Sequence, residues 1–181
     1  VANTTWLIVG FGPIGATTAA RAKAFGATVN VIRRSPKISE TVDAAGTLNE
    51  IDRFLPDADV IVLACPLNNV TRGLAGNSFF TNIKHGAILI NIARGALIEN
   101  EAMIDALDRG QLEAAVLDVF HTEPLPAKDP LWTHPKVRVT AHTSFAGDGT
   151  RSRWDELFFD NLPRFVQGKK LMYEVAPADI I

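Results

Sequence analysis

The chain has 181 residues, 47% of them apolar and 21% charged, with a formal net charge of −2. That length and composition suit one sizeable hydrophobic core and exclude a disordered or fibrous protein. So small a charge creates no long-range field, and neither a nucleic-acid nor a membrane partner is expected. The longest apolar runs, Val60–Ala64 and Ala87–Ile90, are too short to span a bilayer. Cys65 has no second cysteine to pair with, and the first basic residue is Arg21, so a reducing, cytoplasmic setting without a signal peptide is expected.

In chain order, a strand over Trp6–Val9 runs into a glycine-rich turn. A helix over Ile14–Phe25 follows, closed by Gly26, and then a strand over Thr28–Ile32. Leu48–Leu55 reads as helix, Val60–Ala64 and Ile88–Asn91 as strands, and Glu99–Arg109 as a helix closed by Gly110. A strand over Ala115–Val119 precedes Thr122–Pro135, which holds four of the ten prolines and excludes a regular element. Such long irregular excursions usually carry function or an interface. Arg138–Thr140 reads as a strand, Gly149–Val166 as a long helix stopped at Gly168, and Leu171–Ile181 as an extended tail. Strands apolar at consecutive positions, alternating with helices, predict an α/β fold: a Rossmann-type doubly wound parallel sheet with helices on both faces. Residues 1–181 read as one dinucleotide-binding domain.

Gly10-Phe11-Gly12-Pro13-Ile14-Gly15 is a G-x-G-x-x-G run between a strand and a helix rich in small residues. Gly10 allows the tight turn, Gly12 leaves room for a pyrophosphate, and Gly15 lets helix and strand approach. Pro13 and Ile14 open the helix, whose free N–H groups and partial positive charge favour phosphate. The second strand chooses between cofactors. An NAD site has an acid at its end to bond the ribose 2′-hydroxyl. Here the strand runs into Arg33, Arg34 and Ser35. A guanidinium binds a 2′-phosphate that a carboxylate would repel, so NADP(H) is the preferred cofactor and NAD(H) the possible one.

Three further runs stand at strand ends, the edge where open α/β sheets hold ligands. They are Asn91–Gly95, Leu117–Pro124 and Thr140–Ser144, and they bring Arg94, Asp118, Glu123 and His142. An arginine can hold a substrate carboxylate and polarise its neighbouring carbonyl. A histidine can move a proton near neutral pH, and a glutamate bonded to it can orient the ring. That set suits carbonyl reduction. His85, His121 and His134 read as surface residues, and no histidine pair has metal-ligand spacing, so no metal is expected. Cys65 reads as a small cofactor-side or core residue rather than a nucleophile.

At these residues the chain resembles the D-2-hydroxyacid dehydrogenase family, over about Trp6 to Val175. The resemblance implies that Arg94, Glu123 and His142 are catalytic and that Asp118 lies near the nicotinamide carboxamide. It places Cys65 and Pro66, with Ala93 of the arginine run, on the cofactor side. It also implies a homodimer formed through the nucleotide-binding domain, for which Thr122–Pro135 is a suitable arm, and a C-terminal helix that packs on a substrate domain. Family members carry about a hundred residues of substrate domain, a typical domain size, ahead of the dinucleotide fold. Here Val1–Thr5 precede the first strand, so the expectation is a nucleotide-binding half whose substrate domain lies outside the chain. One departure is local: His142 is followed by Thr143-Ser144-Phe145-Ala146-Gly147, where most members have glycines, so the pocket rim is expected to differ.

The implied activity is reduction of a small 2-keto acid, of glyoxylate or hydroxypyruvate type. Formate dehydrogenase shares the architecture, but its pattern has glutamine at the position of Glu123. A corepressor-like dinucleotide sensor is the alternative from outside enzymes.

Overall fold

The structure is a computed structural model that describes residues 1–175. Seven strands form one parallel sheet: β1 (Thr5–Val9), β2 (Thr28–Ile32), β3 (Ala44–Gly46), β4 (Val60–Leu63), β5 (Ala87–Asn91), β6 (Leu112–Leu117) and β7 (Val137–Val139). Their order is β3-β2-β1-β4-β5-β6-β7. The chain therefore reverses direction across the sheet between β1 and β4, the doubly wound arrangement that opens a crevice at that point. Every pairing is parallel, so all the strands end at one edge.

Side chains alternate between two apolar clusters. Leu7 and Val9 of β1 pack with Leu63, Leu89, Phe80, Met103 and Leu107. Ile8 packs on the other face with Val29, Val31, Val62, Ala19 and Ala22. Burial on both faces is why these strands read as continuous apolar runs. Among the described residues, α1 (Pro13–Ala24), α2 (Asn77–Asn82) and α3 (Asn100–Asp108) cover or flank the sheet, and α4 (Thr150–Val166) is the remaining helix. At the opposite edge from the strand ends, Asp43 accepts from the Val29 N–H and pairs with Lys23, and Asp59 accepts from the Thr5 N–H and pairs with Lys84. These partners hold both carboxyls below the usual carboxylate range.

The expected strands and the three longer helices, α1, α3 and α4, stand close to where the sequence puts them, and Gly26, Gly110 and Gly168 all take the positive φ of a helix stop. Several expectations change. Leu48–Leu55 is not an α-helix but two 3-10 turns, Leu48–Arg53 and Leu55–Asp57. Pro56 has no N–H to continue a helix, and Phe54 breaks the run between the turns. β6 begins three residues before the expected Ala115 and ends at Leu117. The Thr122–Pro135 excursion is irregular apart from one 3-10 turn at Pro130–Trp132. His134 is not a surface residue: its side chain is 12% exposed, its Nδ1 accepts from the Lys136 N–H, and its Nε2 faces Asp108 at 3.3 Å. Helix α4 buries none of its residues. Of the expected tail, residues 176–181 lie outside the described residues.

Candidate functional site

The glycine turn joins β1 to α1 at the sheet's ligand edge. Gly10 has φ +102°, and its N–H donates to the Ile32 carbonyl at 2.9 Å. A Cβ there would stand 2.6 Å from the Ala64 carbonyl, and one on Gly15 would stand 2.1 Å from the Gly10 carbonyl oxygen. The protein's own backbone thus requires those two glycines. Gly12 differs, since a Cβ there would meet nothing within 4 Å. Its missing side chain leaves open space at the N-terminus of α1, where unpaired N–H groups favour an anion. Pro13 and Ile14 are exposed at that terminus and Gly15 is buried beneath it.

A cleft of about 440 Å³ opens beside this turn, lined by Gly10, Phe11, Gly12, Arg33, Arg34, Ser35, Cys65 and Pro66 among others. Seven of the expected cofactor residues therefore share one cavity, and the open Gly12, the helix terminus and the basic lip together fit a dinucleotide. The guanidinium of Arg33 lies over the Phe11 ring, 4.9 Å from its centroid. Burial pushes the Cys65 thiol up to about 11, which keeps it uncharged and agrees with a packing role. Leu48, Asn68 and Thr71 also line the cleft, and the sequence reading missed them. Thr71 fixes the far wall by donating to the Pro66 carbonyl at 2.8 Å and accepting from the Asn68 N–H at 2.9 Å. The pattern Asn-x-x-Thr, a common turn closure, was the available signal.

Farther along the same edge, β5 ends in Asn91, which is fully buried. Its side chain donates to the Arg94 carbonyl at 2.9 Å and accepts from the Ala93 N–H at 3.0 Å, clamping the loop that presents Arg94. Arg94 itself is exposed, with one guanidinium N–H donating to the Ala93 carbonyl. Gly95 lets this loop touch the Asp118–Pro124 run, because a Cβ there would stand 2.1 Å from the Phe120 carbonyl carbon.

β6 delivers Asp118, 2% exposed. Its carboxylate accepts from the Thr140 hydroxyl at 2.5 Å and from the N–H groups of Thr143 at 3.0 Å and Ser144 at 3.1 Å. Burial alone would raise its pKa; the hydrogen bonds from Ser144, Thr140 and Thr143 outweigh it and hold the carboxyl below the usual range. Asp118 therefore ties β6 to the segment that carries His142. Glu123 accepts from the Phe120 N–H through Oε1 at 2.9 Å and faces His142 Nδ1 through Oε2 at 2.6 Å. A carboxylate only accepts, so Nδ1 holds the proton and Nε2 is left for proton transfer. The hydrogen bond from His142 is the main cause that lowers the Glu123 carboxyl, and the charges of His142 and Arg94 add to it. Arg94, Glu123 and His142, far apart in sequence, thus act on one another at one end of the sheet. Beside them Phe145 sets its ring edge-to-face on His142, centroids 6.4 Å apart, and stacks on Trp154 of α4 at 6.1 Å. The residue run that departs from the common pattern therefore builds an aromatic rim rather than an open glycine turn.

A family model described as D-isomer specific 2-hydroxyacid dehydrogenase, NAD binding domain, matches residues 1–144. The chain belongs to that family. Among individual relatives, a glyoxylate/hydroxypyruvate reductase A from Serratia proteamaculans is 39% identical over 140 residues, covering 77% of this chain and 45% of the relative. A glyoxylate reductase from Aeropyrum pernix is 35% identical over 162 residues, covering 90% of this chain and 48% of the relative. The chain spans about half the length of the curated relatives it matches. Among solved structures, a D-isomer specific 2-hydroxyacid dehydrogenase from Xanthobacter autotrophicus Py2 in complex with NADPH and MES superposes with TM-score 0.89 at 31% identity, covering 96% of this chain and 71% of that one. An NADPH-dependent glyoxylate/hydroxypyruvate reductase from Sinorhizobium meliloti, in complex with NADP and sulfate, gives TM-score 0.89 at 29% identity, covering 98% and 57%.

Proposed function

We propose that this chain is the cofactor-binding and catalytic half of an NADP(H)-dependent reductase of small 2-keto acids, of the glyoxylate or hydroxypyruvate type. The observation that carries the reading is the 2.6 Å Glu123–His142 pair standing at the same sheet edge as Arg94 and the dinucleotide cleft. In this reading the cofactor supplies the hydride. Arg94 holds the substrate carboxylate and draws charge from the carbonyl. His142 gives its proton to the forming alkoxide, and Glu123 keeps the imidazole in the needed tautomer and orientation. The arginines at the end of β2 favour the phosphorylated cofactor, and the two structural neighbours are complexes with NADPH and NADP. Gly10, Gly12, Pro13, Ile14 and Gly15 cradle its pyrophosphate, Arg33, Arg34 and Ser35 take the adenosine end, and Cys65, Pro66, Ala93 and Asp118 lie toward the nicotinamide.

Residues 1–181 form the dinucleotide-binding domain in this proposal, and α4 reaches out to a substrate domain. The working protein is a cytoplasmic homodimer. A lone buried thiol agrees with a reducing compartment. The test is NADPH oxidation by the protein joined to its substrate domain, against a panel of 2-keto acids. Turnover of glyoxylate or hydroxypyruvate, abolished in His142→Ala, is the expected result; cofactor binding with no turnover of any 2-keto acid would favour a dinucleotide-sensing role.

A further inference from the structure

Phe11 stands between the first two glycines of the turn, where the cofactor reading gives it no task. Its ring is half-buried and seated against the cluster that contains Ile8, Val29 and Val31. The far side of the ring borders the cleft, with the Arg33 guanidinium over it at 4.9 Å. At the other end of that side chain, the Arg33 backbone N–H donates to the Gly46 carbonyl at 2.9 Å. Arg33 is therefore fixed twice, by the sheet at its root and by an aromatic ring at its tip.

We propose that Phe11 is a positioning residue for Arg33: its ring holds the guanidinium at the cleft mouth, set for the 2′-phosphate of a dinucleotide, and so determines the preference for NADPH over NADH. The inference rests on the cofactor reading above and assigns the residue that makes it selective. A guanidinium stacks through its face and donates hydrogen bonds through its edge, so the ring and a phosphate do not compete for it. An arginine free in solvent has many rotamers to lose on binding a ligand. One already stacked on a half-buried ring has fewer, and phosphate contact becomes correspondingly tighter. NADH offers a hydroxyl at that place and gains little from a held cation.

The 181-residue chain is titrated calorimetrically with NADPH, NADH, 2′,5′-ADP and 5′-AMP, as wild type and as Phe11→Leu, Phe11→Tyr and Arg33→Ala. Leucine keeps the apolar packing and removes the π face. Phe11→Leu should weaken NADPH and 2′,5′-ADP about 3- to 10-fold, the size of one cation–π contact, and change NADH and 5′-AMP by less than about 2-fold. Phe11→Tyr should keep wild-type selectivity. The Arg33 Nε–H resonance of the free protein should show a ring-current shift that Phe11→Leu abolishes. Equal weakening of all four ligands in Phe11→Leu would reduce Phe11 to a packing residue of the turn and overturn the proposal, as would selectivity left unchanged. If Arg33→Ala and wild type are alike and neither distinguishes 2′,5′-ADP from 5′-AMP, the cofactor reading itself fails and the proposal fails with it. If Arg33→Ala loses selectivity but Phe11→Leu keeps it, the platform alone fails.

Discussion

An asparagine in place of Asp118 would aim an amide N–H2 at a site where the Thr140 hydroxyl and the Thr143 and Ser144 N–H groups already donate. At least one buried donor would lose its acceptor, at a cost of about 1–3 kcal/mol. For a chain this long that lowers Tm by about 2–4 °C per kcal/mol, so a fall of roughly 2–12 °C is expected for Asp118→Asn by calorimetry. The loop carrying His142 should loosen with it. An unchanged Tm with an intact His142 environment in NMR would show that the carboxylate is dispensable for the fold. Glu123 makes stability depend on pH. Its carboxyl is lowered chiefly by the hydrogen bond from His142, against an ordinary value of 4.5. A lowered folded pKa contributes stability that is present above the unfolded value and lost as pH falls through the folded value. Asp43, Asp59 and Asp118 are lowered too and destabilise the protein over the same acid range. The contribution of Glu123 is therefore the difference between wild type and Glu123→Gln. Thermal melts from pH 7 to pH 3 should show the two converging as pH drops below 4.5. Parallel curves over that range would mean the pair adds nothing through its charge.

At the scale of elements, the glycine turn separates residues needed by the fold from one needed by a ligand. Gly15→Ala forces a methyl group to within 2.1 Å of a carbonyl oxygen, whereas Gly12→Ala places it in open space. Gly12→Ala should keep Tm within about 2 °C of wild type, a shift of under 1 kcal/mol for a chain of this size. It should also weaken dinucleotide binding at least about 10-fold, or 1.4 kcal/mol. Gly15→Ala should lose both the fold and binding. Scanning fluorimetry paired with cofactor titration reads the two together, and full binding by Gly12→Ala would remove the pyrophosphate from this turn. The same scale shows what the sequence made legible. β1, β2, β4 and β5 are buried on both faces, so runs such as Val60–Leu63 announce themselves. β3 is three residues of alanine and glycine, with no β-branched or aromatic side chain to mark it. α2 is six residues carrying two adjacent phenylalanines, too short to show a helical period. At the candidate site, the residue types and their order single out Arg94, Glu123 and His142. What stayed hidden were contacts between segments: Asp118 holding 140–144, and Phe11 under Arg33. Nothing within a single window of sequence records which distant donor a carboxylate will meet.

For the whole molecule the open question is what covers α4. Trp154, Phe158, Phe159, Leu162, Phe165 and Val166 are each between 47% and 77% exposed. The spacing Trp154, Phe158, Leu162, Phe165 repeats every three or four residues, so these side chains form one stripe along the helix. A continuous aromatic surface of this kind is unusual on a soluble monomer. In the proposed full protein a substrate domain covers it; in the 181-residue chain water or a second copy must. The chain alone should therefore self-associate through α4. Trp132, 50% exposed in the Thr122–Pro135 excursion, marks the competing surface. Sedimentation velocity at tens of micromolar, well above typical stable-dimer dissociation constants, distinguishes them. Phe158→Glu with Phe165→Glu should remove the association through α4, and Trp132→Ala should leave it intact. Neither glutamate disturbs a core contact, because α4 has no buried residue, so Tm should hold while the sedimentation coefficient falls. Turnover by this chain should be negligible in every variant. In the proposed arrangement half of the cleft that aligns keto acid with nicotinamide belongs to the substrate domain, and alignment alone supplies about 7–11 kcal/mol of rate enhancement. Adding the substrate domain should raise turnover and abolish the association through α4 together, since one surface serves both. A chain that is monomeric as wild type, or that turns over 2-keto acids unaided, would contradict a shared role for the α4 stripe.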